Sequence, residues 1–450
     1  GMTGDCVHVV FDGASYVQLP SNAVSFGAVD LETRMIVTNS LLTVGEQASY
    51  LSDGSSYALH IGTVGNSRSV LEVLDGAVIT SKLHVAENSG SVGAVYQRGG
   101  HVFGTGWNSD KYPGQPTVGV SGHGYYELTG GTFTGFCRPR IGAGGTGILY
   151  VDGGTFVMKQ HFIGTTHSWF FMGYQGNSVL YLKRGTVDLR AEGQNFMMGL
   201  YNANGDSSLT LAGEDAYMIT PTSCQIGWAS GKGVFRINVN DGVFESCSMG
   251  RRTNNDAKRT NPDWVHVNFN GGTWKTRSGE SHLVSPAENV NFFCRTTVYE
   301  KGAVIDCDYS TDVVLSEPLQ GATGNGVDTV PLPPEVAEAT FIAPPFVKIV
   351  NAPGDVTGNG ASAYALFDSK TGKVTGVDVT SRGWDYAEPP TAIFVYDYAT
   401  GVKTNGVSVC TLRANASGSF TKKGKRTLTL NATNTWQGAT VLAGGKLKLG

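Results

Sequence analysis

The sequence predicts an all-β fold built as a stack of parallel β-coils, and three observations predict it. Gly-Gly corners recur every 23 to 31 residues, apolar residues alternate with period two on both sides of each corner, and no helix-period segment separates them. Strands without helical punctuation argue against βαβ units.

Composition agrees. Glycine fills 62 of 450 positions, roughly twice average usage. Charged residues make up 16% and hydrophobic residues 40%, a profile of many turns and no disordered polyelectrolyte. Net charge is −4 with the basic residues scattered, so no nucleic-acid partner is expected. Seven cysteines (6, 137, 224, 247, 294, 307, 410) are widely spaced without a CxxC pair. No metal framework and no cofactor is therefore expected, and the odd count leaves at least one thiol unpaired. No apolar run reaches the ~18 residues of a membrane-spanning helix. Gly1-Met2 reads as a cloning scar, so an earlier secretion leader is expected.

The corners index on Gly76, Gly100, Gly131, Gly154, Gly185, Glu214 (after Gly213), Gly242, Gly272 and, more weakly, Gly302. Around Gly154 the alternating apolar residues are Leu149, Val151, Phe156 and Met158; around Gly185 they are Leu180, Leu182, Val187 and Leu189. Two short strands thus meet at each corner and send alternate side chains to one interior. Ile61-Gly62, Ile141-Gly142, Ile163-Gly164, Met172-Gly173, Met198-Gly199, Ile226-Gly227 and Met249-Gly250 mark a third strand per repeat.

The run GVSGHGYYELTGGTFTGFCRPRIGAGGTGILYVDGGTFVM, at 119–158, resembles the repeats of secreted, autotransporter-type bacterial β-helix proteins. The resemblance implies a right-handed parallel β-helix of the pectate-lyase-like class over residues 56–320. Residues 1–55 fit the repeat poorly and read as an N-terminal β cap. Residues 321–345 are rich in Pro and Gly and read as a linker. Residues 346–412 resemble a small β module of bacterial surface proteins through GKVTGVDVTSRGWDYAEPPT, at 372–391. Residues 413–450 resemble the autotransporter-associated β-strand repeat, through Lys423, Gly424, Leu428, Asn434, Trp436, Gly438, Gly444, Gly445 and Leu447. That family implies further coils on a secreted or outer-membrane-displayed passenger. The bare coil at Gly450 is expected to mark a truncation or a protein lacking its translocator.

Parallel β-helices also carry polysaccharide hydrolases and lyases, which an enzyme reading would match only with a complete catalytic set. Gly122-His123-Gly124 resembles a galacturonan-hydrolase element, but no Asp-Asp dyad accompanies it and Arg236-Ile237 leads to Asn238 rather than Lys. His123 is therefore read as a solvated turn residue. Asp263-Trp264-Val265-His266 resembles a lyase strand but runs straight into the repeat. Asp206, Glu214 and Asp215, or Asp306, Asp308 and Asp312, offer oxygen ligands without a spaced loop pattern. No catalytic residue is assigned.

Two clusters break the rhythm. One is the aromatic insertion at 161–174, where Trp169 or Tyr174 would suit sugar stacking. The other is basic: Arg138 and Arg140 with Arg251, Arg252, Lys258 and Arg259 of the loop RRTNNDAKRTNPDW, which ends on Trp264. If the two basic groups meet, they would line a groove for acidic glycans. The expected function is a non-catalytic, secreted or cell-surface protein, structural or adhesive, that takes a carbohydrate or cell-surface ligand and self-associates end to end or side by side. The alternative is a polysaccharide lyase or glycoside hydrolase acting on acidic glycans.

Overall fold

The computed structural model describes residues 7–13, 17–19, 24–26, 32–44, 58–104, 108–109, 112–113, 116–136, 138–159, 168–190, 194–198, 205–226, 233–247, 249–250, 263–277, 292–309, 311–396 and 406–450. Among them the chain is all-β apart from one short helix, and its main feature is a 23-stranded parallel sheet beside a nine-stranded one.

The strands fall into three rows, each pairing with its equivalents one repeat earlier and later. The first row runs through Arg68–Val73, Val92–Gln97, His123–Leu128, the start of Thr146–Lys159 and on to Phe292–Val298. The second runs through Val78–Ser81, His101–Gly104, Thr132–Phe136 and on to Ala303–Asp306. The nine-stranded sheet is the third row: Ile61, Ile141, Met172, Met198, Ile226 and Met249-Gly250 fall in its strands, Val85 and Val118 are further members, and Ile163-Gly164 lies outside the described residues. Within residues 1–55, read as a cap, the described strands are the first of the rows: Val7–Asp12 pairs with Glu32–Thr38, and Val17–Leu19 with Leu41–Val44.

The expected alternation holds. Val95, Tyr126, Leu149, Leu180, Leu209, Ile237 and Val267 form one inward file by register. Each is at most 2% exposed, and all belong to one core that also takes in the inward residues of the other two rows. Gln97 interrupts the apolar interior, but Tyr126 Oη donates to its Oε1 at 2.6 Å and its Nε2 donates to the Thr132 carbonyl at 3.0 Å. A buried amide so satisfied is tolerated. The corner glycines are steric. Gly131 has φ 72°, and a Cβ there would stand 2.2 Å from the Gly100 carbonyl oxygen of the preceding repeat.

After Leu319–Gly321 the chain leaves the rows, and it re-enters them with Phe420–Lys423, which pairs with Ala303–Asp306. Thr440–Leu442 and Lys446–Leu449 add one further level. Their outer side exposes Val441, Leu442 and Leu449. The excursion between folds around its own core of Val327, Val336, Phe341, Val347, Val374 and Phe394, among others. The 321–345 stretch thus carries strand Asn325–Val327, helix α1 (Pro334–Glu338) and four of those core contributors, including Val330.

This inserted module lies over the outer face of the first row. Tyr96, Tyr125, Ile148, Val179 and Tyr181 point away from the interior, yet all are at most 5% exposed because Ile342, Ala343, Phe346 and Tyr364 pack on them. Tyr364 stacks on Tyr181 at 4.3 Å between centroids. The polar contacts are equally specific: Tyr96 Oη to the Ile342 carbonyl at 2.6 Å, Tyr181 Oη to Asp378 at 2.9 Å, and Asn240 Nδ2 to the Thr380 carbonyl at 2.7 Å.

Candidate functional site

His123 does not sit in a solvated turn. It opens strand His123–Leu128, is 2% exposed, and its Nε2–H donates to the Pro344 carbonyl at 2.8 Å. The residue reserved for a turn is a fastener for the module. Its neighbour Glu127 accepts from Tyr125 Oη at 2.9 Å and from Ser369 Oγ at 2.6 Å. Burial pushes the Glu127 carboxyl up, and those donors with the Arg98 charge offset this only in part. Burial likewise raises Asp378 against the hydrogen bond from Tyr181. His266 is wholly buried and held neutral by burial and by the charges of Arg236 and Arg295, with the Trp384 ring 4.9 Å away. Shielded carboxyls and a neutral histidine under a docked module cannot exchange protons with a polysaccharide.

The third row is different. By register its outward file reads His60, His84, Thr117, Arg140 and Phe171, while Ile61, Val85, Val118, Ile141 and Met172 face the core. Two of the sequence-predicted clusters meet here. The Arg138 guanidinium lies 4.7 Å from the centroid of the Trp169 ring, and Arg140 lies 3.9 Å from Tyr174 and 5.8 Å from Phe171. Trp169 and Phe171 meet edge to face at 5.4 Å, as do Phe171 and Tyr174 at 5.6 Å. The arginines stand on one level and the rings on the next, so strand stacking itself builds the cation–π ladder.

Exposure sorts the ladder. Trp169 is 8% exposed and Phe171 1%, whereas Arg138, Arg140 and Tyr174 are half-buried. Trp169 therefore supports Arg138 instead of offering a stacking face; Tyr174 keeps surface. Behind the ladder lies an apolar recess lined by Pro116, Val118, Phe133, Ile141 and Phe170, part of the core wall. Arg251, Arg252, Lys258 and Arg259 lie outside the described residues, and so does His161. Trp264 falls in strand Asp263–Phe269 of the first row, opposite Val234 and Phe293, in a different row from Arg138 and Arg140.

The same file holds a cluster that spacing does not reveal. His60 and His84 are register partners, and both present Nδ1 to Glu87 Oε2, at 3.2 and 2.7 Å. Their rings meet edge to face at 5.0 Å. Burial pushes the Glu87 carboxyl up, but the two imidazole donors outweigh it and hold the group well below the usual carboxylate range. Leu59-His60-Ile61 and Leu83-His84-Val85 repeat one pattern 24 residues apart, the signal that an aligned reading of the third strand would have given. The Asp306, Asp308 and Asp312 group does not converge: Asp308 pairs with Lys425, and Asp312 accepts from the Thr427 amide at 2.8 Å. Asp206 pairs with Arg236.

No family model, no curated protein and no solved structure matches this chain. No described helix is long and apolar enough to cross a membrane.

Proposed function

We propose that the three rows wind as a right-handed parallel β-helix and that the chain is a non-catalytic, secreted or surface-displayed binding protein of the autotransporter passenger type. Its ligand is an acidic glycan held on the third row. The observation that carries this reading is the ladder in which Arg138 and Arg140 are pinned over Trp169, Phe171 and Tyr174. Guanidinium groups fixed on aromatic faces lose little further entropy when they meet a carboxylate or sulfate, and their planar forks match such groups. Tyr174 supplies ring surface beside them for a sugar face.

The non-catalytic half of the reading is supported by the docked module. A hydrolase or lyase of this architecture needs an open groove with ionisable groups in reach of substrate. The first-row face is occupied by Phe346, Tyr364 and Phe367, and Glu127 and Asp378 are committed to Tyr125, Ser369 and Tyr181.

A glycan array of uronate-containing and sulfated polysaccharides, followed by a turnover assay on every binder, tests this. Retention of acidic glycans without new reducing ends or unsaturated products is expected, with loss of retention in Arg140→Gln. Product release, or retention unchanged in Arg138→Gln/Arg140→Gln, overturns it.

A further inference from the structure

We propose that His60, His84 and Glu87 form a binding site for a divalent transition cation, with zinc as the ion their donor set fits best. Three potential donors, one from each side chain, lie within 4.8 Å of one another, and among the described residues this is the only such group of His, Cys, Asp or Glu. Two imidazoles and one carboxylate are the ligand types zinc takes in open sites, where a fourth position is left to water or a ligand. Imidazole donors also disfavour calcium and magnesium, which take oxygen ligands.

The fold places the donors without relying on long loops. His60 and His84 occupy the same outward position on adjacent strands, Leu59–Ile61 and Leu83–Val85. Their Cα atoms are thereby fixed at the interstrand spacing, and Leu59, Ile61, Leu83 and Val85 anchor the strands by burying alternate side chains at 0 to 2% exposure. Glu87 comes back beneath them through Ala86, a non-glycine residue at φ 59°, and its amide donates to the Gly62 carbonyl at 2.8 Å. After four other third-row strands the equivalent left-handed residue is a glycine: Gly62, Gly119, Gly142 and Gly173.

Burial suits a bound ion. The side chains of His60, His84 and Glu87 are 12%, 13% and 29% exposed, shielded enough to hold geometry and open enough to admit an ion and one exogenous ligand. Lys82, half-buried nearby, contributes a positive charge that interacts with both Glu87 and His84. That charge opposes a cation, so its removal must strengthen binding if the site is real. Thr117 and Arg140 continue the same outward file. The fourth position thus opens onto the face that carries the arginine ladder.

The test is zinc chloride titrated into the full chain by calorimetry, with His60→Gln, His84→Gln, Glu87→Gln and Lys82→Met alongside. One tight equivalent is expected for the native chain. Each histidine variant should weaken it at least about 100-fold, the upper end of what loss of even an outer-shell partner costs. Lys82→Met should tighten it. Cobalt substitution gives an independent readout: visible bands of a four-coordinate nitrogen–oxygen site, lost in His60→Gln. Native-like far-ultraviolet circular dichroism and a cooperative urea transition in the metal-free variants separate loss of the site from loss of the fold. Absence of zinc binding by the native chain, or affinity unchanged in all three ligand variants, overturns the proposal. Weaker binding in Lys82→Met counts against it as well.

Discussion

His123 donates to the carbonyl of Pro344 across 2.8 Å of space and 221 residues of chain. With Tyr96 to Ile342 and Tyr181 to Asp378, it ties the inserted module to the first row at three heights. Each such bond contributes about 0.5–1.5 kcal/mol net, and a stranded buried acceptor costs about 1–3 kcal/mol. His123→Ala combined with Tyr181→Phe should therefore raise amide exchange in 325–415 by about tenfold or more. Exchange in Val92–Gln97 and Asp206–Leu211 should move far less. Uniform loss of protection throughout the chain would mean that module and rows unfold as one unit.

The same interface sets a pH dependence. Burial raises Glu127 above its ordinary value of 4.5, so the folded chain keeps a proton that the unfolded chain has already released. Stability from this group is present below the ordinary value and is lost as pH climbs through the folded one. Asp152 and Asp188 sit below their ordinary value and act in the opposite sense, so only a difference measurement isolates Glu127. From about pH 4 upward, native stability should fall relative to Glu127→Gln as pH rises, read from urea midpoints. A constant difference would place Glu127 in an ordinary solvated state.

Ala86 and Gly142 offer a paired test of the third-row turn. A Cβ at Gly142 (φ 71°) would stand 2.1 Å from the Asn177 carbonyl oxygen, with no flexible atom to give way. Gly142→Ala should destabilise the chain by at least about 2 kcal/mol, from left-handed strain of 1–2 kcal/mol plus the clash. Ala86 already bears the strain, so Ala86→Gly should fall between neutral and about 1 kcal/mol stabilising, because glycine's chain entropy takes back part of the relief. Urea unfolding of both variants checks the ordering.

The parts of this molecule that repeat were legible, and those that depend on what stacks against what were not. Period-two alternation around Gly154 and Gly185 located core residues such as Leu149, Val187 and Leu189, because burying alternate side chains is a local constraint. Arg138 and Trp169 were each singled out, but in separate clusters. Their contact depends on register between strands about thirty residues apart. His123 was misplaced for a related reason: a Gly-x-Gly slot looks solvated until a module 220 residues away covers it. His60, His84 and Glu87 escaped because metal spacing is usually sought within one loop, whereas here the spacing is the repeat itself. The place of the module also lay beyond local patterning. Only pairing of Phe420–Lys423 with Ala303–Asp306 reveals that 322–419 is an excursion from one level.

Lys422 carries the last prediction. It pairs in register with Ile305, so it points into the core file where every earlier level has an apolar side chain, and it is 0% exposed. A buried ammonium is costly unless its three donors are used. Here Nζ donates to the carbonyls of Gly424 and Arg426 and, at 2.9 Å, of Gly444. These acceptors sit on two successive levels, so the side chain bolts Thr440–Leu442 and Lys446–Leu449 to the strands beneath them. Lys422→Ala removes the donors, leaves carbonyls unsatisfied at about 1–3 kcal/mol each and opens a cavity. Lys422→Met restores the volume but not the donors, so it should recover only part of the loss. Hydrogen exchange should rise in 420–449 for both variants, more for alanine, while Ala303–Asp306 stays protected. Equal exchange in Lys422→Met and the native chain would mean that Lys422 acts through its aliphatic stem alone.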